Sequence, residues 1–147
     1  MIESTPLVWL HQAVNWLLAP ALAALVFACA VAAAEAGLAL GERFGGLARM
    51  RRAGDVAAVQ RVARHRLERA DLLARIPPML GLMATIIPLG PGLAALGQGD
   101  PAQLAAAVTV AFDATVLGLV AGIAGLVVGK LRRRWYEEVL EALENQP

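Results

Sequence analysis

The sequence predicts an all-α membrane protein with three transmembrane helices, and three observations carry that prediction. The chain is rich in apolar residues, with 59% hydrophobic and only 17% charged over 147 residues. A soluble domain of similar length carries about a quarter charged residues. The apolar residues gather into three runs, and all the basic residues lie outside those runs.

The runs cover 13–40, 76–96 and 102–129. Each reaches the roughly 20 residues that a helix needs to cross the hydrocarbon core. Helix is the economical form, because backbone groups in lipid must be satisfied within the segment. Three spans leave no separate core for a second unit, so residues 1–147 read as a single membrane domain. Cys29 lies inside the first run. No basic residue precedes it, as a signal peptide would require, so the run reads as a retained span and Cys29 as a small apolar filler.

Charge sets the expected orientation. Of the thirteen basic residues, nine fall between Arg43 and Arg75 and four between Lys130 and Arg134. None precedes the first span or lies in the connection Gly97-Gln98-Gly99-Asp100-Pro101. The positive-inside rule therefore predicts an N-terminus outside, with 41–75 and 130–147 in the cytoplasm and the whole in the inner membrane. Trp9 and Trp16 suit the outer interface, and Trp135 and Tyr136 the inner one.

Both cytoplasmic segments carry helical periodicity. Val56, Val59, Ala63, Leu67, Ala70 and Leu73 recur at helical spacing, with Arg61, Arg64, Arg66 and Arg69 between them. Val139, Leu140 and Leu143 repeat the pattern in the tail. A basic helix next to a membrane can bind anionic lipid or a partner, or simply present a solvated face. Without interleaved aromatics or a large excess of charge, nucleic acid is not an expected partner.

Small residues form stripes on the second and third spans. Thr115, Gly118, Gly122, Gly125 and Gly129 share one face of the third, and Gly81, Thr85, Pro88 and Gly92 one face of the second. Such faces either let helices of one subunit pack closely or line a pore whose mid-depth hydroxyls are Thr85 and Thr115. Pro88 and Pro91, flanked by Gly90 and Gly92, should bend or end the second helix towards its outer side. Asp113 lies near the middle of the third span, where a carboxylate is expensive and marks a functional site by default; the alternative is a carboxyl that pins helices together. It points about 200° away from Thr115, with Thr109 one turn earlier on its own side. Glu35 is expected only to reach the inner interface. His11 and His65 stand alone, without metal-ligand spacing, and no nucleophile and base are paired, so neither an enzyme nor a bound cofactor is expected.

Two stretches resemble the MotA/TolQ/ExbB proton channel family. Members open the penultimate span with a motif close to A-P-x-x-G-L-x-G-T-V, matched here by Pro77-Pro78-Met79-Leu80-Gly81-Leu82-Met83-Ala84-Thr85-Ile86. Their last span shows A-T-x-x-G-L-x-A, matched by Ala114-Thr115-Val116-Leu117-Gly118-Leu119-Val120-Ala121. The span count is that of the ExbB/TolQ type. The resemblance implies a homopentamer around a dimer of a single-span ExbD/TolR/MotB-like partner, with translocated H⁺ or Na⁺ as the driving ion. Thr85 and Thr115 would face the partner's membrane aspartate. The sequence departs from the family pattern at Ala84 and Pro88, each where glycine is usual. It also has Val110 where ExbB/TolQ members carry glutamate, and Asp113 one turn on stands as a possible substitute. Two alternatives compete with the motor: a scaffolding membrane protein whose stripes only pack helices, and a small channel without a partner.

Overall fold

The computed structural model describes residues 4–46 and 56–144. The portions of the expected cytoplasmic segments at 47–55 and 145–147 lie outside the described residues. Three long helices make up the described chain: α1 (Ser4–Gly41), α2 (Val56–Gly97) and α3 (Pro101–Glu144). A π-helical turn, Glu42–Gly46, follows α1 directly. With 38, 42 and 44 residues, the helices run to roughly 57–66 Å at 1.5 Å per residue. That is about twice the bilayer's hydrocarbon core. All three are long and apolar enough to cross a membrane. The described basic residues from 56 to 75 thus belong to the same helix as the second span, with no break between them.

Pro77, Pro78, Pro88 and Pro91 all lie inside α2. Each removes one N–H from the helical ladder, yet α2 continues to Gly97 rather than ending at Pro88. It stops at a Schellman motif: Asp100 N donates to Ala95 O and Gly99 N to Leu96 O, both at 3.0 Å. Gly99 supplies the left-handed residue that this closure needs, at φ 87°. Asp100 then caps α3, its Oδ1 accepting from Ala102 N at 3.1 Å and Gln103 N at 3.2 Å. Pro101 occupies the first helical position, where a missing N–H costs nothing.

The helices contribute to two compact units. The first joins α1 up to Cys29 with Pro77–Val120. Its core is Leu25 against Ala84 and Ala114, with Leu18, Leu22, Cys29 and Leu80 around them. The Cys29 thiol donates weakly to Leu117 O at 3.7 Å.

The second unit joins Ala30–Ile76 with the chain from Ala121 on. Val59, Ala63, Tyr136, Val139 and Leu143 form one apolar cluster there, and Ala39, Val128 and Trp135 another. The helical portions of the second unit therefore have a core of their own. Two expectations are corrected here. Trp135 and Tyr136 are buried in these clusters instead of standing at a lipid interface, and Arg43 lies over the Trp135 ring at 5.2 Å.

Glu35 is the second correction, since it is 6% exposed and ion-paired. Arg132, with no exposed surface, donates from Nη1 to Glu35 at 2.6 Å and from Nε and Nη2 to Glu42 at 3.2 and 3.4 Å. Arg66 pairs with Glu42, and Arg69 approaches Glu35 at 3.8 Å. A buried guanidinium survives only where its donors are met, and here Glu35 of α1 and Glu42 of the π turn meet them, while Arg66 and Arg69 of α2 share the same two carboxylates.

Candidate functional site

In the first unit α2 and α3 run antiparallel with their backbones in contact. A Cβ on Gly81 would meet Ala114 O at 2.9 Å, and one on Gly118 would meet Pro77 O at 2.6 Å. Further along, a Cβ on Gly92 would lie 3.0 Å from Ala107 Cβ. These glycines are therefore packing contacts within one chain. In the second unit Gly125 does the same against Leu73 and Ala74, at 2.7 Å, and Gly122 is buried.

Close approach brings two hydroxyls together. The half-buried Thr85 and Thr115 are joined directly through their Oγ1 atoms. Thr85 Oγ1 also reaches Gly81 O at 2.8 Å and Ala111 O at 3.1 Å, and Thr115 Oγ1 reaches Ala111 O at 3.1 Å. Two hydroxyls hold only two protons, so the pair and its two carbonyls can satisfy both donors internally. The oxygens keep lone pairs for an incoming donor. Such a pair can accept a proton-bearing group, reverse its donor direction by hydroxyl rotation, or hold a water at its open side.

Pro88 is half-buried, close to where α2 turns its small face to α3. Asp113 lies elsewhere. It is exposed on the single chain, and no hydrogen bond or ion pair joins it to another described residue. Thr109, also exposed, returns its hydroxyl to Ala105 O at 3.0 Å. The next basic residue along α3 is Lys130, roughly 25 Å away at 1.5 Å per residue. The structure thus brings Thr85 and Thr115 together with Gly81 and Gly118, and sets Asp113 on a separate face.

The sequence model of the MotA/TolQ/ExbB proton channel family matches residues 47–145, two thirds of the chain. The chain belongs to that family. The match takes in the paired threonines and the glycines that bring them together, so the most regular part of the site is also the family's part. No curated protein and no solved structure gives a significant match. One departure from the family pattern now has a packing reason. Ala84, where glycine is usual, is fully buried beneath Leu25 of α1, where a methyl fills space that glycine would leave empty.

The ion-paired cluster around Arg132 escaped sequence reading. The available signal was weak: Glu35 and Glu42 lie seven residues apart and so share a face, but nothing in the pattern tied that face to Arg132 across the fold.

Proposed function

We propose that this member of the family is the ion-conducting subunit of a rotary membrane motor, with the proton as its ion. Five copies would surround two copies of a single-span partner of the ExbD, TolR or MotB kind. Ion flow past the partner's membrane carboxylate would turn one ring against the other, with the N-terminus outside and the long helical extensions in the cytoplasm. The observation that carries this reading is the Thr85–Thr115 hydroxyl pair. It is held across a contact that glycine alone permits, and it is left half-buried.

In this mechanism the pair offers hydroxyl oxygens to the passing proton or to the waters that carry it, along an otherwise apolar path. Asp113 supports the same reading from another direction. An unpartnered carboxylate in mid-span costs several kcal/mol or more against lipid, so its face is expected to meet water, a neighbouring subunit or the partner. The scaffolding alternative draws on the glycine contacts, all of which are satisfied within one chain.

The test is proton flux in proteoliposomes loaded with the assembly isolated from its native membrane. Thr85→Val with Thr115→Val preserves shape and removes both hydroxyls; flux is expected to fall at least tenfold, with Thr→Ser at either site retaining most of it. Asp113→Asn, measured alongside, is expected to lower flux as well. Full flux in the double valine variant would exclude the hydroxyl pathway, and full flux in the Asn variant would remove Asp113 from it.

A further inference from the structure

Among the described residues, nearly every basic side chain is engaged. Arg64, Arg75 and Arg133 pair with Glu68, Asp71 and Glu137 four residues away. Arg66, Arg69 and Arg132 hold Glu35 and Glu42. Arg43 covers Trp135, and Arg61 Nε donates to Ala57 O at 3.4 Å. Lys130 and Arg134 are both exposed, and neither is ion-paired with a described residue.

These two cations are one helical turn apart and therefore neighbours on one face of α3. Ile123 and Val127 extend that face towards the apolar run, 62% and 46% exposed. Lys130 is the first charged residue after that run, so the face changes from apolar to cationic at the membrane boundary. Val127, Lys130, Leu131 and Arg134 line one shallow hollow with Arg133 and Glu137. The Glu137 carboxylate is already held by Arg133 Nε at 3.0 Å, so it does not cancel the two free cations.

We propose that this face binds an anionic phospholipid, its phosphodiester between Lys130 and Arg134 and an acyl chain along Val127 and Ile123. Charge complementarity calls for an anionic occupant. The exposed acids of α3 without a described partner, Glu138 and Glu141, lie one and two turns beyond Arg134, away from the apolar run, whereas a phospholipid joins its negative charge directly to an apolar chain. The hollow itself offers an incoming copy two unpaired cations and no unpaired acid. A phospholipid of the adjoining leaflet supplies both the phosphate and the apolar chain, in the order in which the face presents them. The proposal does not depend on ion conduction.

The experiment is native mass spectrometry of the full-length protein in detergent, titrated with phosphatidylglycerol or phosphatidylcholine. Two surface cations are expected to give roughly thirtyfold preference for the anionic lipid. Lys130→Gln with Arg134→Gln should reduce that preference to near parity. Arg61→Gln with Arg64→Gln removes the same charge from α2 and should leave it intact. Equal loss in both variants would reduce the effect to net charge and overturn the site. Absence of preference in the unaltered protein would also overturn it. So would a Leu131→Cys variant whose copies cross-link through position 131 with lipid preference unchanged, because a second copy would then cover the face.

Discussion

At the residue scale, two buried polar groups make the sharpest expectations. Arg132 has no exposed surface and answers two carboxylates. Removing it alone leaves Glu35 and Glu42 without their central cation, and breaking a buried pair in this way costs about 3–5 kcal/mol. Arg132→Met should therefore lower the midpoint of chemical denaturation strongly. Arg132→Met combined with Glu35→Gln and Glu42→Gln should recover most of the loss; no recovery would show that packing, not charge, is at stake. Tyr136 gives a pH-dependent expectation. Burial raises its pKa above the ordinary 10.0, the Glu42 carboxylate adds to the rise, and Arg66 and Arg132 oppose it. The hydroxyl itself makes no hydrogen bond to a described residue. A raised folded pKa leaves stability untouched below pH 10 and withdraws it as pH climbs through the folded value, because the unfolded chain ionises first. Tyr136→Phe should flatten that alkaline decline without loss at neutral pH, as measured by denaturation between pH 8 and 11. Neither role was legible in the sequence, where Tyr136 read as an interface residue and Arg132 only as one of four basic residues, because burial in the second unit depends on contacts between distant positions, such as Arg132 and Glu35, 97 residues apart.

At the element scale, the antiparallel contact of α2 and α3 depends on missing side chains. A Cβ at Gly118 would sit 2.6 Å from Pro77 O, and one at Gly125 2.7 Å from Ala74 N and Leu73 C. Those neighbours are backbone and cannot rotate aside, so the helices themselves must separate. Gly118→Ala and Gly125→Ala should each destabilise by about 1–3 kcal/mol, the range for overpacking. Gly37→Ala, with nothing within 4 Å, should stay within about 0.5 kcal/mol of the parent. Equal behaviour of all three would contradict the packing account. This much was readable beforehand, since a glycine every three or four residues can only be a face. The continuity of α2 through Pro77, Pro78, Pro88 and Pro91 was less so. A proline pattern announces lost hydrogen bonds but not whether the surroundings tolerate them.

At the scale of the whole molecule, the span count and the family were written in two patterns: apolar runs set apart from basic segments, and two short motifs in order. The proposed assembly is a matter of several chains, and Asp113, exposed and without a partner among the described residues, is the group of a single copy that the proposal gives a neighbour, the partner or water to meet. The most direct measurement is native mass spectrometry of the complex withdrawn from its own membrane by a tag on this chain. The account expects five copies of the chain with two copies of one single-span protein. A monomer or dimer, or a ring holding no second protein, would contradict it.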